Sequence, residues 1–256
     1  MPQRQNWPER LYLVRHGQSQ GNVARDAAHE AGLLEIDIDV RDVDVPLSKL
    51  GAEQAEAAGR WFAALPANER PELILSSPYV RAKQTAEIIC KMGALAGGPG
   101  HSVVDERLRE REFGIFDRLT TMGIRDKFPE EADHRSRLGK FYHRPPGGES
   151  WADVILRLRS MMNTINLHYC DRRVLIVCHQ VVVLCMRYIL EELDESAILA
   201  IDKQGDVLNC GISVYDFDAD AKGLCIPTLS LWNHGAPLEA EGAPKTSEKD
   251  AMVGSR

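Results

Sequence analysis

Arg15, His16 and Gly17 stand in a row at the end of the apolar run Leu11 to Val14. A guanidinium binds phosphate oxygens through a planar fork and never loses its charge. A neutral imidazole is a good nucleophile toward phosphorus, and a covalent intermediate splits one hard displacement into two easier ones. Glycine lets the backbone approach a ligand closely. These groups suit a phosphoryl group, but one tripeptide is weak evidence without partners. The chain supplies them at two other places: Ser76 and Ser77 close the run that begins at Glu72, with Arg81 one turn later, and His179 closes the run Arg173 to Cys178. His179 also precedes a helix start, so it could donate to phosphoryl oxygens alongside open helix N–H groups. The leaving alkoxide needs a proton and the attacking water must lose one; one carboxylic acid of raised pKa can do both. Asp105, Glu106, Glu110 and Glu112 are candidates, and spacing does not choose among them. Two arginines make the local field positive, so His16 and His179 are poor metal ligands, and the chemistry calls for no metal or cofactor.

For these groups to meet, the elements that carry them must end side by side. Residues 11–14, 72–77 and 173–178 are short runs rich in Leu, Ile and Val without alternation, the pattern of strands buried on both faces. Helical spacing lies between them. Ala55, Ala58, Phe62 and Leu65 follow a capping Ser48; Ala82, Thr85, Ile89 and Met92 repeat the step; Val154, Leu158, Met161 and Ile165 follow Ser150 and Asp153 in capping-box spacing. Residues 180–193 are apolar on most sides and predict a buried helix. Alternation of strand and helix predicts an α/β fold with a mostly parallel sheet, in which ligands sit outside the carboxyl ends of the strands. Residues 212–217 and 224–232 alternate more and predict edge strands, the second interrupted by Pro227.

The 256 residues are 44% hydrophobic, enough for one large α/β domain or two small ones. A net charge of -7 without a dominant basic cluster disfavours nucleic acid as a partner. No apolar leader opens the sequence and no segment approaches 18 uninterrupted apolar residues, so secretion and a membrane partner are disfavoured and a cytoplasmic location is expected. Six cysteines without a C-x-x-C pair read as buried reduced thiols. Residues 1–10 read as an extension, 11–234 as the domain, and 235–256 as a disordered tail. A homo-oligomer is left open.

The strings "LVRHGQSQGN", "PLSKLGAEQA", "SSPYVRAKQTA", "LREREFG", "PPGGESWADV" and "VLIVCHQ", in that order, resemble the motifs of the histidine phosphatase superfamily, the phosphoglycerate mutase-like proteins. The resemblance spans residues 11 to about 217. It implies a three-layer α/β/α sandwich, phosphorylation of His16, a phosphoryl group held by Arg15, Arg81 and His179, and Glu110 as proton donor. Asn22 closes the first motif and is expected at the phosphoryl group, with Ser19 and Gly17 in the same loop. Gln180 follows the second histidine, as in the fructose-2,6-bisphosphatase branch. The mutases carry Trp before that Asn and "ERHYG" around the acid; Gly21 and "EREFG" stand here, which favours a phosphatase acting on a small phosphorylated substrate. Mutase-type transfer and a non-catalytic interaction module on the same fold are the alternatives.

Two segments depart from the compact pattern. Residues 23–45 contain "IDIDVRDVDV", which reads as an extra edge strand or a solvated acidic face rather than a metal site. Residues 105–146 read as a cap over the site. Within it Arg135, Arg137, Lys140 and Arg144 form either a solvated basic face or a receiver for a second anionic group of the substrate. Glu149, at the following helix start, reads as part of a cap, with a place at the pocket mouth as the alternative.

Overall fold

Each apolar run becomes a strand in the computed structural model, which describes residues 7–95, 100, 102–219, 225–235, 238–239 and 242–247. In chain order the elements are β1 (Arg10–Arg15), α1 (Gln20–Glu30), α2 (Lys49–Ala64), β2 (Leu73–Ser76), α3 (Val80–Met92), β3 (Val103–Val104), α4 (Thr121–Lys127), α5 (Pro129–Tyr142), α6 (Trp151–His168), β4 (Arg173–Cys178), α7 (Gln180–Leu190), α8 (Glu195–Gln204), β5 (Ile212–Ala219) and β6 (Cys225–His234). The strand order is β3-β2-β4-β1-β5-β6, with β1 to β4 mutually parallel and β5 and β6 antiparallel.

Successive side chains of a strand point to opposite faces, so a strand apolar at every position must be covered twice. Leu11, Leu13, Val174 and Ile176 pack on one face with Val154, Leu158 and Ile165 of α6 and with α7. Tyr12, Val14, Leu175 and Val177 pack on the other with Ala58 and Phe62 of α2 and Ile89 of α3. These are the three expected layers. Helix starts follow the sequence signals: Ser48 Oγ accepts from Gly51 N, and Ser150 and Asp153 form a reciprocal capping box.

Several expectations are corrected. β5 lies between β1 and β6; of these two expected edge strands β6 alone is an edge, which tolerates Pro227. Residues 23–45 form no edge strand: the chain continues α1 to Glu30, then loops to a 3-10 turn at Asp42–Asp44, and its one strand-like pairing is the isolated bridge Glu35 to Leu119. This loop packs against the cap, where Thr120 Oγ1 donates to Leu33 O and Ile36 N donates to Arg118 O, so its hydrogen bonds are satisfied away from the sheet. The cap has a small core of its own around Phe116, Ile124 and Ala132.

The described residues of the tail, 238–239 and 242–247, make specific contacts. Leu238 is fully buried, and Gln54 Nε2 donates to Pro244 O and Thr246 Oγ1. An apolar anchor and partners for the backbone hold this polar stretch down, which composition does not reveal. Residues 236–237, 240–241 and 248–256 lie outside the described residues, as do residues 1–6 of the amino-terminal extension, while Trp7 stacks on Phe217 at 5.2 Å.

Candidate active site

Parallel register delivers the site. Arg15 pairs with Cys178 and Ser76 with Val177, so His16, Ser77 and His179 emerge together at one edge of β1, β2 and β4. The His16 and His179 rings lie 5.0 Å apart, edge to face, and both residues are buried.

His16 has one defined tautomer. Its Nδ1 is 2.7 Å from Gly17 O, which can only accept, so Nδ1 carries the proton and Nε2 presents a lone pair. Arg81 Nε donates to that Nε2 at 3.3 Å. Burial, with Arg81 and Arg15 adjacent, holds the imidazole well below its ordinary pKa, so it stays neutral. The loop is fixed from both sides: Gly17 N donates to Thr85 Oγ1 and Asn209 Nδ2 donates to His16 O. Gly17 is needed for space, since a Cβ there would lie 2.3 Å from Gly51 O.

His179 Nε2 is 2.7 Å from Ser77 Oγ, and Nδ1 lies 3.7 Å from Glu110 Oε2. Tyr79 N donates to Ser77 Oγ. With the Ser77 O–H donating to Nε2, Nδ1–H becomes the ring donor on the Glu110 side. Burial, then Arg81, His16 and Arg15, lowers the His179 pKa. Glu110 Oε1 accepts from Arg111 N, and burial raises the carboxyl above its ordinary value against the opposing pull of Arg81 and Arg15. The structure thus separates the four acidic candidates. Asp105 is tied to Arg107, Glu106 is exposed on the cap and Glu112 pairs with Tyr79 and Arg109; Glu110 alone of the four enters the cleft.

A cleft of about 810 Å³, including its open mouth, is lined at its inner end by His16, Ser19, Asn22, Arg81, Glu110 and Gln180. Arg15 and His179 are buried and are not among its lining residues. Arg15 donates to Val207 O at 2.5 Å, and burial brings its pKa down to about 10. Ser19 and Asn22 have a structural task that their motif position concealed. Ser19 Oγ accepts from Asn22 N and Asn22 Oδ1 accepts from Ser19 N, a reciprocal capping box on α1. Gln180 opens α7 and donates weakly to Asp206 at 3.4 Å.

The rest of the lining mixes apolar residues, Ile36, Ile38, Val40, Val45, Phe113 and Val181, with the charged Arg25, Asp117 and Arg118. The basic stretch of the cap does not take part. Lys140 pairs with Asp202, Arg144 with Asp153, and Arg135 is buried in the cap, because acidic partners arrive from α6 and α8. Glu149 is pinned by Arg109 and Arg157 rather than placed at the mouth. The acidic stretch 37–44 gathers no metal-type cluster; among the described residues the one such group is Glu131, His134 and His143, which lies in the cap. All six cysteines are free. No helix among the described residues is long and apolar enough to cross a membrane.

Asp42 was not legible as a site residue. Its Oδ1 and Oδ2 accept from Arg81 Nη1 at 2.9 Å and Nη2 at 3.2 Å, and its carbonyl accepts from Nη1 at 2.6 Å. Nothing in an alternating acidic stretch marks which carboxylate will fold back onto a strand end. Ser77 and Asn209 likewise act through tertiary contacts.

Residues 11–226 match the family model of the histidine phosphatase superfamily, branch 1. The chain is 32% identical over 180 residues to the 6-phosphofructo-2-kinase/fructose-2,6-bisphosphatase of Caenorhabditis elegans, covering 70% of this chain and 33% of that protein. It is 30% identical over 167 residues to the phosphoglycerate mutase-like protein AT74H of Arabidopsis thaliana, covering 62% and 53% respectively. The matches therefore span about a third and about half of those relatives' lengths. A mycobacterial glucosyl-3-phosphoglycerate phosphatase superimposes with a TM-score of 0.65 at 26% identity, over 88% of this chain and 98% of that one. A putative alpha-ribazole-5'-P phosphatase of Escherichia coli, with a TM-score of 0.68 at 20% identity over 89% and 97%, shares the fold. With the six motifs in order, the paired histidines at adjacent strand ends and the family model over most of its length, this chain belongs to the histidine phosphatase superfamily.

Proposed function

We propose that this chain is a phosphoric monoester hydrolase that works through a phosphohistidine at His16. The observation that carries the reading is the state of the His16 ring: buried, neutral, with Nδ1–H fixed on Gly17 O and the Nε2 lone pair facing the Arg81 guanidinium. In the first step Nε2 attacks phosphorus, the bond from phosphorus to the leaving oxygen breaks, and the Glu110 carboxyl gives its proton to that oxygen. In the second, water attacks the phosphohistidine, its proton passes to the Glu110 carboxylate, the P–N bond breaks and phosphate leaves. Arg81 and His179 donate to the phosphoryl oxygens where charge accumulates, and Arg15 adds positive field from behind. The capping box carries Ser19 and Asn22 at the cleft wall, and Gln180 offers the open N–H groups at the start of α7.

The substrate class follows from the outer walls. A small phosphorylated metabolite with an apolar body would bury it against Ile36, Ile38, Val40 and Phe113, while Arg25, Asp117 and Arg118 on the same walls could pair with a polar group at its far end. Gly21, also on the cleft wall, agrees with hydrolysis in preference to mutase chemistry.

The test is steady-state hydrolysis of 4-nitrophenyl phosphate and a set of sugar phosphates, together with rapid trapping of an acid-labile phosphoenzyme. The wild type should form the intermediate and show higher kcat/KM on the aryl ester, and His16→Ala should lose both turnover and label. Equal turnover by His16→Ala would refute the mechanism, and a preference for sugar phosphates would refute the substrate class.

A further inference from the structure

Arg81 has five N–H groups, and Asp42 engages three of them. The carboxylate sits end-on across Nη1 and Nη2, and the Asp42 carbonyl takes the second hydrogen of Nη1. A guanidinium has another bidentate edge, made of Nε–H and the Nη2 hydrogen on the same side. That edge is turned to the nucleophile, since Nε donates to His16 Nε2. The ring of Tyr79 lies 4.8 Å from the Arg81 guanidinium carbon and restricts its tilt. Arg81 is almost fully buried, whereas the Asp42 side chain is 42% exposed, so the carboxylate meets the cation from the solvent side of the cleft.

We propose that Asp42 is a positioning residue for phosphoryl transfer, holding the end-on fork of Arg81 so that the side edge faces the phosphoryl group at His16 Nε2. The inference rests on the phosphohydrolase reading above. As phosphorus approaches Nε2, the Nε–H that now occupies the lone pair passes to a phosphoryl oxygen, the neighbouring Nη2–H takes another, and Asp42 keeps its place. A carboxylate that merely plugged the phosphate site would take the edge that faces the histidine; this one takes the opposite fork. Asp42 also acts on the acid. Glu110 is faced by Arg81 from α3, Arg15 from β1, His179 from the start of α7 and the Arg111 amide from its own loop, and Asp42 is the negative charge among these neighbours that favours its protonated form.

The experiment compares Asp42→Ala, Asp42→Asn and Asp42→Glu with the wild type in two measurements. In calorimetric titration with inorganic phosphate, Asp42→Ala should bind about tenfold more weakly, the size of one charge-assisted hydrogen bond lost or misaimed, with Asp42→Glu recovering most of it. In the pH profile of kcat/KM for 4-nitrophenyl phosphate, Asp42→Ala and Asp42→Asn should move the alkaline limb to lower pH, because Glu110 loses its proton sooner. A purely structural role would not move that limb. Tighter phosphate binding or a lower KM in Asp42→Ala means that Asp42 is a plug and overturns the proposal, as does unchanged binding. Asp42→Asn, nearly isosteric, serves if the alanine variant folds poorly. Absent turnover in the wild type would overturn the hydrolase reading, and phosphate binding would still decide the role of Asp42.

Discussion

At the level of single residues, the proposed mechanism turns on two groups pushed in opposite directions by the same burial. His16 is held below the ordinary imidazole pKa and the Glu110 carboxyl is raised above its ordinary value, each chiefly because desolvation disfavours its charged form. The proposed attack by His16 requires a neutral ring, and the proposed proton transfer from Glu110 requires a protonated carboxyl. Activity should therefore fall on the alkaline side as Glu110 ionises, while the acid limb set by His16 lies well below pH 6.5. Glu110→Gln should abolish the alkaline limb and lower kcat/KM by about 10²-fold or more, the ordinary contribution of a positioned proton donor. A pH profile of kcat/KM for both proteins checks this, and an alkaline limb surviving in Glu110→Gln would assign it to another group. Identity was legible at this scale: the histidines and arginines named from the strand ends all sit at one sheet edge. Glu110 was legible only through the family resemblance, because spacing does not reveal that Asp105 meets Arg107, Glu112 meets Tyr79 and Arg109, and Glu110 faces His179.

At the level of elements, the phosphate loop is built against the start of α2. A Cβ on Gly51 would lie 1.9 Å from Gln18 O, so the first turn of α2 and the chain after His16 are in backbone contact. Gly51→Ala must separate them, at a cost of about 3 kcal/mol, the upper end for overpacking. Ser150→Ala, which removes a cap remote from the cleft, should cost about 1 kcal/mol. Urea unfolding gives both values, and phosphate binding separates them further: it should weaken in Gly51→Ala and persist in Ser150→Ala. Wild-type phosphate affinity in Gly51→Ala would show that this contact does not fix the loop. Caps and apolar periodicity made α2, α3, α6 and α7 readable in advance. The 23–45 segment was not readable, since its apolar residues line the cleft and its backbone pairs with the cap instead of a sheet edge.

At the level of the whole molecule, the carboxyl-terminal segment reaches back to the catalytic loop. Gln54 donates to Thr246 Oγ1, Thr246 Oγ1 donates to Asn209 Oδ1, and Asn209 Nδ2 donates to His16 O. Gln54 also accepts from Gln18 N, which closes the circuit around the phosphate loop. Truncation after Gly235 removes buried Leu238 as well as Thr246, and should cost about 3 kcal/mol from one apolar anchor and the lost hydrogen bonds. It should also lower kcat more than it raises KM, because it loosens the nucleophile and leaves the cleft walls in place. Thr246→Val isolates the hydroxyl and should show a smaller loss of the same kind. Thermal unfolding and steady-state kinetics test both, and full kcat in the truncated chain would mean that the circuit plays no part in positioning His16.

The sequence by itself determined β1, β2 and β4, the helices that cover them, the three layers and the family, because apolar runs without alternation need cover on both faces and six motifs recur in order. It also brought Arg15, His16, Arg81 and His179 to one edge, since parallel strands end on the same side. The resemblance pointed to Glu110 among four acids; only the tertiary structure set it beside His179, seated Asp42 on Arg81, and tied Thr246 to the loop of His16. Those decisions depend on which distant groups share a desolvated volume, and spacing along a chain holds no information about that.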